Sequence, residues 1–338
     1  MADHYEIANV DDAAAWNQFV NQAPGGSIFS TAGWLDCAGA AAAGRIHRLG
    51  YFKNGQLLAV LSGLENRGSG LARFTTPPLT PHGGLLLAPL QAKTPAKPEA
   101  EFSRAAQAFI EHLQGQFDYV QLCQAPSMVD VRDFAWAGWE TRIRYTYHLE
   151  IADEAAMWER LERRTRTVIR KAERDGFVVR PTADIDLFRR QFEMVQQRQE
   201  GYTVDAAMVA GFVADAVRAD LAELCLVESA AGAPAAVVAF ARASDRDRDH
   251  GDEVYAWQAG ADPAFNHTGA LSLLYWKYLT GLPSTRFDFV GANMPSVAFF
   301  KRGFGGNLVP YYVVEGYRSA WGKSARAGRS LLRHWIGR

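Results

Sequence analysis

Residues 117–124 read FDYVQLCQ and residues 285–293 read TRFDFVGAN. Each is a short apolar strand opening on Phe-Asp-aromatic, and each follows an amphipathic helix, EFSRAAQAFIEHLQGQ at 101–116 and HTGALSLLYWKYLTG at 267–281. Further upstream lies a hairpin in both cases. RIHRLGYFKNGQLLAVLSGLENR at 45–67 turns on Asn54-Gly55, the strongest short hairpin signal, and LAELCLVESAAGAPAAVVAFARA at 221–243 turns near Gly232. The recurrence at nearly equal separation reads as an internal duplication of one α/β unit, against the alternative of chance recurrence of common elements.

The remaining elements fit the same scheme. HYEIANV reads as a strand, and DDAAAWNQFVNQ and STAGWLDCAGAAAA read as helices. In the second half EAAMWERLERRTRTVIRKAERDG reads as one long helix stopped by Gly176, followed by the strand FVVRPTA, two helices at 184–199 and 205–220, and the strand EVYAWQAGA. Each half thus runs helix, helix, antiparallel hairpin, strand, helix, strand. The expected fold class is α/β with an α+β mixed sheet, in two tandem domains at 1–147 and 148–316, followed by a basic helix at 317–338. In such a unit the central strand feeds a helix N-terminus, whose backbone N–H groups can hold an anion.

The bulk numbers are compatible with this. A chain of 338 residues is too long for one ordinary core. With 48% hydrophobic and 22% charged residues and a net charge of −1, it has the profile of a soluble globular protein, so attraction to phosphate must be local and DNA is not an expected partner. Cys37, Cys123 and Cys225 have no metal-ligand spacing, and no metal is expected. No leader or spanning segment is legible in the sequence, which makes the cytoplasm the default compartment.

Three stretches carry candidate chemistry. In SVAFFKRGFGG, Ser296 to Gly306, Lys301 stands among Phe299, Phe300 and Phe304. Loss of hydration there would make its charge act strongly on a nearby anion; the alternative is a lysine that reaches the surface while the rings fill the core. On the long helix Arg163, Arg166, Arg170 and Arg174 fall on one arc, flanked by Arg164 and Lys171. Arginine forks match phosphate oxygens, whereas the alternative is a solvated face paired with Glu162, Glu173 and Asp175. The tail YRSAWGKSARAGRSLLRHWIGR sets Trp321, Leu332 and Trp335 opposite Lys323, Arg326, Arg329 and Arg333, a pattern suited to anionic lipid at the inner membrane surface or RNA, or else to packing on the domain. Asp288 is a base or ligand-orienting candidate, although Asp118 in the matching place suggests a structural role for both. His82, Tyr255 and Trp257 are weaker site candidates.

RIRYTYHLEI, RRTRTVIRKAERDGFVV, FDFVGAN and FFKRGFGGNLVPYYVV together resemble the FemAB-like branch of the GNAT acyltransferase superfamily over most of the chain. The resemblance implies two tandem GNAT-type domains. It also implies an acyltransferase that forms an amide on an amine, the best known members moving an amino acid from aminoacyl-tRNA to the peptide of a cell-wall precursor. By that resemblance Lys301 acts in the transfer step and the basic helix from Arg166 to Ala172, with Arg166 and Arg170, meets acceptor phosphates; Arg163, Asn293, Phe300, Gly303 and Gly305 are further substrate-binding candidates. The implied acceptor is a phosphate-bearing amine of an envelope or polysaccharide precursor. The donor is a co-substrate, with no tightly bound cofactor. Of the glycine-rich loop of the acyl-CoA enzymes, DPAFNHTGALS retains only Gly269 and Ala270, which favours aminoacyl-tRNA over acyl-CoA. PHGGLLLAP lacks the acidic residue that the cell-wall ligases carry there. A non-catalytic module that binds tRNA, a nucleotide-sugar or a membrane surface is the reading from another class.

Overall fold

The computed structural model describes residues 3–42, 44–68, 70–90, 93–197, 204–242, 253–283 and 286–318. The basic helix expected at 317–338 lies outside the described residues from position 319 onward. In chain order the elements are β1 Tyr5–Asn9, α1 Ala13–Gln22, α2 Ala32–Ala41, β2 Arg45–Lys53, β3 Gln56–Gly68, β4 Leu71–Thr75, β5 Leu85–Leu87, α3 Ala96–Gln116, β6 Tyr119–Cys123 and α4 Arg132–Trp136. They continue with β7 Glu140–Glu150, α5 Glu154–Arg160, α6 Arg163–Arg174, β8 Val178–Thr182, α7 Ile185–Gln196, α8 Ala206–Arg218, β9 Ala222–Glu228, β10 Pro234–Arg242, β11 Glu253–Ala261, α9 Ala270–Thr280, β12 Arg286–Asp288, α10 Pro295–Arg302 and β13 Asn307–Tyr317. Among the described residues no helix is long and apolar enough to cross a membrane.

Two compact units divide the chain, one reaching Arg144 and taking back the chain from Pro310, the other spanning Tyr145–Val309. A linear cut at 147/148 does not anticipate that return, because the pairing of β13 with β6, Val313 opposite Cys123, is set by tertiary contact. In the first unit the strand order is β1-β2-β3-β4-β6-β13, with β5 on β3. All its pairs are antiparallel except β4 with β6. The second unit runs β7-β12-β11-β10-β9-β8, again with one parallel pair, β11 with β12.

Local sequence explains most of the elements. Asn54 and Gly55, at φ +50° and +81°, make the mirror-image turn that joins β2 to β3. Asp12, Asp184 and Asp205 each accept a first-turn backbone N–H of the helix that follows, at 2.8, 2.8 and 2.9 Å. In the second unit one face of the sheet is apolar: Leu149, Val254, Ala256 and Phe287 pack in one cluster with Ile169, Ala172, Leu273, Leu274 and Phe304.

The long helix expected at 154–176 is two helices. Leu161 and Glu162 take extended angles between α5 and α6. Leu161 is buried there, and Glu162 N donates to the carbonyl of Gly303 at 2.9 Å. Helical periodicity continues through the break, so nothing local in the sequence marks it.

Candidate functional site

β12 ends at Asp288, and the chain then turns through Val290 at φ +50° and Gly291 at φ +73°. Positive φ at a β-branched residue is strained, so the surroundings must hold the turn in place. Val290 N donates to Asp288 Oδ1 at 2.7 Å, and the carbonyls of Val290 and Gly291 both accept from Lys301 Nζ, the second at 2.7 Å. Lys301 is brought there by α10, which has Pro295 in its first turn and ends at Gly303. It is 8% exposed, and burial pushes its pKa down to about 8 against the upward pull of the Asp288 charge. An ammonium offers three N–H donors, and two are already taken. Among the described residues the third has no partner.

The wrapping of Lys301 differs from the one read in the sequence. Consecutive helical residues point about 100° apart, so Phe299, Phe300 and Lys301 cannot share one direction. Phe299 is 54% exposed and lies under the Arg164 guanidinium, 3.2 Å from the ring centroid, with Arg302 at 5.4 Å. Phe300 and Phe304 join an aromatic cluster with Tyr275. Main-chain carbonyls, not three rings, receive the ammonium, and Lys301 does not reach for the surface.

Beside the turn lies the polar face of the sheet. The register sets Tyr255 opposite Asp288 and Asp288 opposite His148, so the three side chains share a face. Two residues along, Thr146, Glu150, Glu253 and Arg286 share it too. Thr146 Oγ1 donates to Asp288 Oδ1, and His148 Nε2 lies 3.3 Å from Asp288 Oδ2. Glu253 is clasped by Arg286 at 2.6 and 2.9 Å and accepts the Tyr255 hydroxyl at 2.5 Å. Tyr255 is buried, which pushes its phenol up, and its hydroxyl is spent on Glu253. Asp288 is 1% exposed, while His148 keeps 15% of its side chain open. Ligand atoms of His148, Glu253 and Asp288 lie within 4.8 Å of one another. Glu253 is neutralised by Arg286 and Asp288 Oδ1 is taken by two donors, while His148 Nε2 is buried beside Asp288 without a hydrogen bond of its own among the described residues. Asp118, the matching acid of the first unit, instead accepts Ala72 N at 2.8 Å and ties two strands. The two acids have parted in role.

The other sequence candidates fall elsewhere. Asn293 Oδ1 accepts Tyr145 N at 2.9 Å, so its amide serves as a strand partner. A Cβ on Gly303 would lie 2.4 Å from Thr165 Oγ1, and one on Gly305 2.4 Å from the Arg160 carbonyl oxygen. Both glycines let this segment close on the α5–α6 break. Gly269, at φ +85°, leaves 2.3 Å between such a Cβ and the Val168 carbonyl oxygen, and Ala270 is buried, so α6 covers the start of α9. Trp257 packs edge-on against Phe212, centroids 5.0 Å apart. His82 belongs to the first unit, edge-on to Phe29 at 5.2 Å.

The arginine stripe survives the helix break, because all of it lies on α6. Its expected acidic partners are engaged elsewhere: Glu162 with Arg164 and Arg302, Glu173 with Lys277, Asp175 with Lys171. Arg166 pairs with Glu159, and Arg170 lies over Trp158 at 5.1 Å. Among the described residues no carboxylate pairs with Arg163, Arg170 or Arg174. Arg164 also donates to the Phe299 carbonyl, so α6 is bonded to the helix that carries Lys301.

Sequence reasoning passed over Thr146, His148, Glu253 and Arg286. A signal was present: in YTYHLEI, Thr146, His148 and Glu150 alternate with Tyr147, Leu149 and Ile151, the period of a strand with one polar face.

A mixed sheet with one parallel pair, built twice along the chain, together with a lysine helix closing on the turn after the last short strand, is a fold like that of tandem GNAT structures. Among solved structures, FemX matches with a TM-score of 0.66 at 12% identity, covering 91% of this chain and 96% of that one. L-PGS from Bacillus licheniformis matches at 0.55 and 13% identity, covering 98% and 99%. A tandem GNAT protein from the clavulanic acid biosynthesis pathway matches at 0.52 and 13% identity, covering 94% and 99%. At these identities the likeness is one of fold. No family model matches the sequence, and no curated protein does.

Proposed function

We propose that the second unit carries a transfer site in which Lys301 stabilises the oxygen charge developing as an acyl or aminoacyl group passes to an amine. The observation that carries this reading is the buried ammonium itself, fixed by the carbonyls of Val290 and Gly291 with one donor uncommitted among the described residues. Such a donor, oriented before reaction and shielded from water, acts on a tetrahedral oxyanion or on a departing ester oxygen, and losing one typically costs about 100- to 1000-fold in rate. The acceptor is a phosphate-bearing amine of an envelope or polysaccharide precursor. Arg163, Arg170 and Arg174 supply its phosphate contacts, which the pairing of their neighbouring carboxylates with other cations supports.

Aminoacyl-tRNA is the favoured donor. In the acyl-CoA reading the diphosphate would sit on the N-terminus of α9, where only Gly269 and Ala270 keep the glycine-rich loop of the acyl-CoA enzymes, which supports the aminoacyl donor. Thermal-shift measurements with acetyl-CoA, longer acyl-CoAs and a stable aminoacyl-adenosine mimic test the donor. A ligand at about 100 times its Kd adds about 2.7 kcal/mol of stability. A shift with the mimic alone supports the aminoacyl donor; a shift with CoA esters alone replaces it by an acyl-CoA. A purely binding protein would show no turnover, and Lys301→Ala would leave its ligand affinity unchanged.

A further inference from the structure

Amide formation needs more than a cation: an acceptor amine is protonated at neutral pH and must lose a proton before or as it attacks. Lys301 cannot serve both ends, since its remaining donor is what stabilises the oxygen. On the polar face of β7, β12 and β11, Tyr255 and Thr146 are each 2% exposed or less, Glu253 is neutralised by Arg286, and Glu150 is exposed to solvent opposite Arg286, two residues further from the lysine turn than His148. His148 remains. Its Nε2 lies 3.3 Å from the buried Asp288 carboxylate, and Asp288 is itself held by Thr146 and by Val290 N, the residue whose carbonyl receives Lys301. One carboxylate therefore faces an imidazole on one side and supports the lysine turn on the other.

We propose that His148 is the base that takes the proton from the acceptor amine, and that Asp288 is its positioning residue. The inference rests on the transfer reading above. The acceptor ammonium gives one proton to the imidazole, its nitrogen forms a bond to the acyl carbon, the carbon–oxygen bond of the donor ester breaks, the second nitrogen proton passes to the departing oxygen through Lys301, and the imidazolium releases its proton to solvent. No oxidant or further reactant is required. Asp288 holds the ring in one orientation and stabilises the imidazolium that forms. The charged and titratable groups around His148 are Glu150 on its own strand, Asp288 and Arg286 on β12, Glu253 and Tyr255 on β11, and, through Asp288, Lys301 on α10.

The test compares two acceptors with the full-length protein, using a set of aminoacyl-tRNAs and acetyl-CoA as donors. Glycinamide stands for an amine that must be deprotonated, and hydroxylamine for one already neutral. We expect His148→Gln to lower transfer to glycinamide by on the order of 100-fold or more while hydroxylamine is used at close to the wild-type rate. Lys301→Met should lose both. Asp288→Asn, which keeps the shape and its bonds from Thr146 and Val290 N, should displace the acid limb of the pH–rate profile with glycinamide, an effect that a structural role alone would not produce. Equal loss on both acceptors, or no loss on either, in a His148→Gln protein with unchanged melting overturns the assignment of His148 and leaves the transfer reading intact. Failure of the wild type to use either amine with any donor overturns the transfer reading and this inference with it.

Discussion

Lys301 Nζ lies 2.7 Å from the carbonyl oxygen of Gly291 and donates as well to that of Val290, a residue at φ +50°. A lysine thus closes a strained turn whose other anchor is Asp288, and removing the amine should affect rate more than folding. Lys301→Met should reduce transfer by about 100-fold or more with the fold retained. Lys301→Arg should fare little better, since a planar fork cannot follow the same two carbonyls. Single-turnover rates alongside far-ultraviolet circular dichroism check both.

The protonation of Lys301 gives the pH dependence a definite sign. If the cation does the work, the rate falls as pH rises through about 8, where the ammonium is lost. In Lys301→Arg any residual activity should lack that limb, because a guanidinium stays charged. A pH–rate profile from 6 to about 10 reads this directly, and a rate that rises through 8 would assign Lys301 a neutral, basic role instead.

Stability should follow the same group in the opposite direction. The folded pKa of about 8 is below the ordinary 10.5, so between those values the unfolded chain binds more protons and stability rises with pH. Below about 8 the burial cost is present in full. Relative to Lys301→Met, the wild type should gain a few kcal/mol across that window, because the slope there is about 1.4 kcal/mol for each step of one in pH. Urea unfolding of both proteins at matched pH values isolates the difference from other titrating groups.

The stripe on α6 makes a prediction independent of catalysis. Replacing Arg163, Arg170 and Arg174 by Gln should change stability by only about 1 kcal/mol, the main loss being the contact of Arg170 with Trp158. Binding of bulk tRNA should weaken, and its dependence on salt should become shallower as phosphate contacts disappear. Filter binding across a salt series measures both. An unchanged slope would remove the stripe from phosphate recognition.

Gly269 and Gly55 separate two reasons for a glycine. Both have positive φ, but a Cβ at Gly55 meets nothing within 4 Å, whereas one at Gly269 would stand 2.3 Å from the Val168 carbonyl oxygen. Gly55→Ala should cost about 1 kcal/mol from backbone strain, and Gly269→Ala on the order of 2–4 kcal/mol, since α6 must also move. Denaturant midpoints give the comparison.

Much of the fold was legible in the chain because its signals are local. Asn54-Gly55 dictates a turn through backbone dihedrals, aspartates cap the helices they precede, and the paired Phe-Asp strands expose the duplication at matching positions. The break at Leu161-Glu162 was not legible. It is made by a hydrogen bond to Gly303 across a long stretch of sequence, and the apolar period runs through it unchanged. The return of residues from Pro310 to the first unit is hidden for the same reason.

The candidate site divides along the same line. By itself the sequence determined that Lys301 stands in an aromatic run closed by glycines, that Asp288 and Asp118 hold matching places in the two halves, and that the arginines of α6 share a face, because each of these depends only on residue type and local periodicity. Tertiary structure alone decided that Phe299 turns outward, that the carbonyls of Val290 and Gly291 receive the ammonium, and that His148 stands beside Asp288. Strand register and packing between distant segments set those neighbours, and the free energy that holds a lysine beneath a strained turn comes from contacts no single stretch of sequence contains.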